Sequence, residues 1–282
     1  MAQKTEILLD GLMFPEGPRW HEEKLWFSDM IGGQVMAVDM NGKAEVIVEV
    51  PQQPSGLGWL PDGKMLIVSM LDRRLLRLDA EGLVEVADLS GLASFHCNDM
   101  VVDHYGRAYI GNFGFDLNGQ KPFAPAEIIL VTPEGKARVV ADEMAFPNGS
   151  VITPDGGTLI VAETFGSRLT AFDIEADGSL SHRRTWAKIE DAYPDGICLD
   201  AEGAIWVASP AGIVGVMRVC EGGQITHHIN VSTQAYACML GGPQRNTLFL
   251  LTAETINPQG ARAKSSGRLE VVQVDIPGAG LP

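Results

Sequence analysis

The chain has 282 residues, of which 45% are hydrophobic, 32 are Gly and 16 are Pro, and its formal net charge is −15. That acidity argues against nucleic acid or an anionic membrane surface as a partner, since both need a basic face, and it favours attraction of a cation. The four cysteines, Cys97, Cys198, Cys220 and Cys238, form no Cys-x-x-Cys pair, residues 1–6 have no signal-peptide character, and no apolar run approaches the ~18 residues of a membrane helix. The expectation is a cytoplasmic protein with reduced thiols, built as a single domain over 1–282, monomeric or a small homo-oligomer.

A short pattern recurs along the chain at spacings suited to a propeller blade. Phe14-Pro15-Glu16-Gly17 opens a first unit, with strands expected near 17–20, 24–29, 34–39 and 44–50 and a hairpin signal at Asn41-Gly42. Pro54-Ser55-Gly56 opens a second, with strands near 56–60, 65–69, 74–79 and 84–87 around the Pro61-Asp62-Gly63 turn. Cys97-Asn98-Asp99 opens a third, with strands near 100–103, 108–112, 127–131 and 137–141. Its insertion, 113–126, is rich in Gly, Phe, Pro and Asn and reads as a loop on a binding face.

Phe146-Pro147-Asn148-Gly149 opens a fourth unit, with strands near 158–163 and 168–174, and Tyr193-Pro194-Asp195-Gly196 a fifth, with strands near 204–208, 215–219 and 224–230. A sixth has strands near 237–241, 246–252 and 269–274, separated by a long polar loop, 253–267. Helical periodicity is nearly absent, so the expected fold is all-β, a six-bladed β-propeller. Closure into a ring protects the sheet edges, and residues 5–9 are expected to add the outer strand of the last blade.

In a ring, the equivalent positions Glu16, Ser55, Asn98, Asn148 and Asp195 face one axis, with the sixth near Tyr236 or Ala237. Asn or Asp before Gly is more often a turn residue than a ligand. Glu16, Asn148 and Asp195 differ from ordinary turns by register, because each follows an aromatic residue and a Pro and begins a unit. Like charges converging on an axis raise a pKa or demand a cation, and a divalent cation resolves the cost. An all-oxygen set suits Ca²⁺, Mg²⁺ or Mn²⁺, and oxygen-nitrogen sites also take Zn²⁺ or Fe²⁺. No Gly-x-Ser-x-Gly elbow and no Gly-x-Gly-x-x-Gly fingerprint occurs. The five Trp and the His227-His228 pair read as blade packing and a solvated edge.

The segments FPEGPRW, CND, FPNG, YPDGI and QAYACMLGGPQRNTLFLLT resemble the senescence marker protein, gluconolactonase and luciferin-regenerating enzyme family over nearly the whole chain. The resemblance implies a six-bladed propeller with one divalent metal in its channel, acting as a lactone hydrolase. It implies Glu16, Asn148 and Asp195 as metal ligands, Asp195 also as activator of water, and Asn98 in contact with metal, water or substrate. Where sugar lactonases of the family carry an Arg two residues before Asn98, this chain has His96. His96 is therefore a candidate catalytic or substrate-binding residue, or a structural one bonded to a carbonyl. Phe113, Phe115 and Asp116 of the insertion are candidate substrate contacts, or loop residues packed on the rim, and are bulkier and more apolar than a polyol site suggests. Phe165 and Tyr236 are candidates for the channel wall or the core. The expected substrate is a sugar-acid lactone or other small lactone, or an ester. The rivals are a related esterase, phosphotriesterase or ring-opening enzyme, and a non-catalytic propeller stapled by its metal.

Overall fold

The structure, a computed structural model, describes residues 4–281. Among the described residues, twenty-four strands form six four-stranded antiparallel sheets. Their innermost strands are Pro15–His21, Pro54–Trp59, Cys97–Val102, Pro147–Ile152, Ile197–Leu199 and Gln234–Gly241. Each of these touches the next, and the sixth touches the first, so the six sheets are the blades of a closed β-propeller.

The ring is latched by the N-terminal strand Glu6–Leu12, which pairs antiparallel with Gly267–Gln273 as the outer strand of blade six. Blades one and six also meet through Trp20 stacked on Phe249, ring centroids 5.6 Å apart. Blades one and two share a cluster in which Trp59 contacts both His21 and Trp26. Trp186 and Trp206 are buried in the blade cores. His227 and His228 lie on the exposed outer strand of blade five, Ile225–Ile229.

Glycine makes the ring possible. A Cβ on Gly149 would lie 2.5 Å from the backbone nitrogen of Ile197 in the next blade, and one on Gly56 would lie 2.3 Å from that of Met100. The Gly of each opening pattern is thus where neighbouring inner strands meet backbone to backbone. In blade three the equivalent residue is Asp99, which needs a different solution, described below.

Two elements differ from the sequence expectation. The loop 253–267 contains a helix, Pro258–Lys264, whose N-cap Asn257 accepts from the backbone N–H of Gln259 and Gly260. With only seven residues and an internal Gly, its periodicity is too short to read. Blade four has its outer strand at Leu180–Lys188, where exposed basic residues mask the alternation. After the last strand the chain crosses to the far ends of the inner strands of blades four and five. Leu281 bridges Ile152, and Ala279 N–H donates to the Leu199 carbonyl at 2.9 Å. The opening patterns lie at the other end of the channel. Among the described residues no helix is long and apolar enough to cross a membrane.

Candidate metal centre and its cavity

The first four opening patterns end in a break of register. The ladder shifts between Glu16 and Arg19, Pro54 and Leu57, Cys97 and Met100, and Pro147 and Ser150. Such bulges twist a strand and re-aim its side chains; in blade five the ladder from Ile197 runs without a shift, and Asp195 N–H donates to the Ala208 carbonyl at 2.9 Å. The loops leading in are pinned by the end of the second strand. The Asp29 carboxylate accepts from Met13 and Phe14 N–H, the Glu163 carboxylate from Ala145 N–H, and the Ser209 hydroxyl from Tyr193 N–H.

Glu16, Asn98, Asn148 and Asp195 are all buried, between 6 and 9% exposed, and all four line one cavity of about 540 Å³ at the channel mouth. Their surroundings tie them together. Asn148 Nδ2 donates to Thr164 Oγ1 at 3.2 Å, and that hydroxyl donates to the Pro194 carbonyl at 2.8 Å, next to Asp195. Asn98 Nδ2 donates to the Pro147 carbonyl at 3.3 Å, and its Oδ1 accepts from Ser55 Oγ at 3.5 Å. In both amides the donor end is engaged, that of Asn98 by blade four and that of Asn148 within its own blade, which leaves oxygen as the end available to a cation.

Burial first, and then the Asp195 charge, push the Glu16 carboxyl well above the usual range, against the pull of the Gly17 N–H that donates to Oε2 at 2.8 Å. Burial pushes Asp195 up as well, and the Asn148 amide works against it. Asp195 Oδ1 is buried without a hydrogen-bond partner. Two adjacent buried carboxyls, one with an orphaned oxygen, flanked by amide oxygens, fit a hard divalent cation. Among the described residues no three His, Cys, Asp or Glu side chains gather as a metal group. The donor set here is two carboxylates completed by amides.

The charge count fits the same ion. Asp99, at blade three's glycine position, is buried and held by Arg19 of blade one, whose Nη2 lies 2.7 Å from Asp99 Oδ1. Arg19 reaches across blade two, donating to the carbonyls of Leu57 and Met100 on the way. Burial raises the Asp99 carboxyl and the guanidinium opposes that rise. Arg19 neutralises Asp99, leaving Glu16 and Asp195 as the pair a dication would balance. Sequence reading missed this brace. The available signals were an Arg inside an inner strand and an Asp where the other patterns have Gly.

The raised carboxyls make a prediction about pH. A carboxyl whose folded pKa lies above its unfolded value of about 4 stabilises the fold below that value and loses this contribution as pH rises through its folded pKa. Carboxyls held below their usual range, such as Glu163, contribute with the opposite sign, so the test is a difference: the metal-free protein should lose thermal stability relative to Glu16→Gln as pH climbs above about 4. A Tm difference between the two that does not change across this window would contradict the arrangement.

The other residues singled out in the sequence are spread around this centre. Phe113 lines the cavity, as do Phe165 and Tyr236, whereas His96, Phe115 and Asp116 are not among its lining residues. His96 sits behind Phe113, ring centroids 6.2 Å apart, against Phe95 at 4.0 Å, and its carbonyl accepts from Phe113 N–H. Burial lowers its pKa. Phe115 packs on Phe146 and Phe165, and Asp116 closes a turn by accepting from Gly119 N–H at 2.7 Å.

Fold and site define a six-bladed propeller with an oxygen-lined centre at one mouth of its channel. The family model described as "SMP-30/Gluconolactonase/LRE-like region" matches residues 14–254, and the chain belongs to that family. It is similar to a 6-deoxy-6-sulfogluconolactonase of Pseudomonas putida, 24% identical over 280 residues, covering 95% of this chain and 93% of the relative. It is similar to regucalcin of Danio rerio, 26% identical over 254 residues, covering 84% and 82%. A solved gluconolactonase from Xanthomonas campestris superposes with a TM-score of 0.74 at 27% identity, covering 98% of this chain and 89% of that one.

Proposed function

We propose that the protein is a divalent-metal-dependent hydrolase that opens a small lactone. The observation that carries this is the pair of buried carboxyls, Glu16 and Asp195, lining an accessible cavity together with Asn98 and Asn148. Family membership supports it, since relatives named as lactonases share this architecture.

Glu16, Asn148 and Asp195 would hold the cation, and Asn98 lies beside them. Once bound, a divalent cation supplies a Lewis acid for the lactone carbonyl and a water of lowered pKa. Asp195 has the group for proton transfer: its carboxyl lines the cavity, and Oδ1 has no competing hydrogen-bond donor. It takes a proton from the attacking water as that oxygen bonds to the acyl carbon. When the ring C–O bond breaks, the same carboxyl returns the proton to the departing alkoxide, giving a hydroxy acid with atoms and charge in balance. Thr164 fixes the Asn148 amide, and the bridge from Asn148 through Thr164 to Pro194 keeps that amide in step with Asp195. Burial of the whole group excludes bulk water, which strengthens each electrostatic contact.

The test is a pH-indicator assay of lactones, aryl esters and phosphotriesters before and after chelation. Lactone turnover should vanish on metal removal and return with one equivalent of Ca²⁺, Mn²⁺, Mg²⁺, Zn²⁺ or Fe²⁺. Lactone turnover that survives exhaustive chelation would overturn the metal-dependent reading.

A further inference from the structure

The wall above the carboxyl pair is aromatic and continuous. Phe113 meets Phe146 at 4.6 Å between ring centroids, Phe146 meets Phe165 at 5.2 Å, and Phe165 meets Tyr193 at 6.5 Å. All four line the cavity. Phe146 and Phe113 lie deeper, whereas Phe165 is 42% and Tyr193 40% exposed, so two large rings face the opening. Across the cavity stand Met30, Ile31, Met70 and Tyr236, with Phe14 edge-on to Tyr236 at 4.6 Å.

These rings are anchored to the centre by the chain itself. Phe146 stands two residues before Asn148, Tyr193 two before Asp195, and Phe165 directly after Thr164. Tyr193 is fixed by its N–H on Ser209, and Phe165 by its N–H on the Ala145 carbonyl. A substrate whose carbonyl reaches the carboxyl pair must therefore lay the rest of its body along this wall.

The polar side of the cavity is poor in what a sugar or an anion needs. No Lys, Arg or His is among the lining residues, and the charged ones, Glu16, Asp195 and Glu254, are all acidic. Sulfonate, phosphate and carboxylate groups are recognised by cationic side chains. The amide donors of Asn98 and Asn148 and the Thr164 hydroxyl are already engaged, Gln234 accepts from the Tyr236 hydroxyl at 2.7 Å, and the remaining neutral polar lining is Gln53, Asn118 and Thr255. A polyol laid along the Phe113–Phe146–Phe165–Tyr193 wall would bury hydroxyls against ring faces that offer them no partner.

We propose that the substrate is an uncharged lactone with an apolar aryl or alkyl body, and that Phe165 and Tyr193 set this preference from the cavity mouth. The proposal rests on the lactone-hydrolase reading above and narrows it. It separates this chain from its relative named for a sulfonated sugar lactone. An aryl ring stacks on the wall edge-on or offset, and an alkyl chain buries its methylenes between the wall and the Met30, Ile31 and Met70 side.

The experiment has two arms. In the first, kcat/KM of the metal-loaded enzyme is measured on dihydrocoumarin, δ-decanolactone, gluconolactone and phosphogluconolactone. The two apolar lactones should exceed gluconolactone by about 100-fold, the gain expected from a few buried methylenes, and phosphogluconolactone should be the poorest. Phe165→Ala and Tyr193→Ala, at sites exposed enough to tolerate truncation, should each lower the apolar-to-polyol ratio about tenfold. In the second arm, calorimetry compares dihydroquinolinone with gluconolactam, uncleavable lactams of the two classes, and the first should bind more tightly. Faster turnover of gluconolactone, tighter gluconolactam, or ratios unmoved by both substitutions would overturn this inference while leaving lactone hydrolysis intact. Tight binding of dihydroquinolinone with no lactone turned over would overturn the hydrolase reading and keep the apolar preference.

Discussion

Asp195→Asn should lower kcat on any lactone the enzyme accepts by about 10²- to 10⁴-fold, the range for loss of a positioned general base, while the propeller stays folded. The asparagine keeps the shape of the side chain and can still accept a contact from the Asn148 amide. What it removes is the basic oxygen that stands buried without a partner and one of the two charges of the Glu16–Asp195 pair. Affinity for a divalent cation should fall with it, because only Glu16 then supplies a full charge. Stability should move the other way. Burial holds both groups above their usual range, and the Asp195 charge adds to the rise at Glu16 as the Asp99 charge does at Asp195, so removing the Asp195 charge relieves repulsion, and the metal-free variant should melt no lower than the wild type. Circular dichroism, a thermal melt and steady-state kinetics on one preparation check all three effects. Wild-type turnover in Asp195→Asn would remove this residue from the mechanism.

Arg19→Met should destabilise the protein by about 3–5 kcal/mol, the cost of stranding a buried charge. Arg19 and Asp99 are 3% and 9% exposed at their side chains, so solvent cannot replace the lost partner. The guanidinium also satisfies the carbonyls of Pro18, Leu57 and Met100, which join blades one, two and three. Adding Asp99→Asn should recover part of the loss, because a neutral amide is cheaper to bury than an unpaired carboxylate. The double variant separates the charge from the carbonyl contacts: recovery measures the first and the remainder the second. A single variant within about 0.5 kcal/mol of wild type in urea unfolding, the spread of ordinary surface substitutions, would show that the brace carries no load.

The fold was legible because a propeller repeats. Five opening patterns in one register, each followed by an alternating strand and a tight turn, leave little besides a ring. Even the latch by the N-terminal strand follows from a sixth unit that is one strand short. The elements that escaped are those without a repeat to compare against, such as the helix Pro258–Lys264 and the masked outer strand Leu180–Lys188. At the centre, the equivalence of Glu16, Asn98, Asn148 and Asp195 could be read from register alone, since each stands at the head of an inner strand and all four line one cavity. The Arg19–Asp99 pair could not, because it joins strands two blades apart and depends on a distance of closure that no local pattern encodes. His96, Phe115 and Asp116 illustrate the converse. Their proximity in sequence to Asn98 or to the insertion pointed to the cavity, whereas His96 and Phe115 pack on the lining rings Phe113 and Phe165, Asp116 closes a turn with Gly119, and none of the three is among the lining residues.

The most direct measurement is anomalous diffraction from crystals soaked in Mn²⁺. The account predicts one ion at the channel mouth, bound by oxygens of Glu16, Asn148 and Asp195 at about 2.0–2.6 Å, the span for hard cations on oxygen ligands. No anomalous peak there at saturating metal, or a peak that these three side chains do not share, would contradict it.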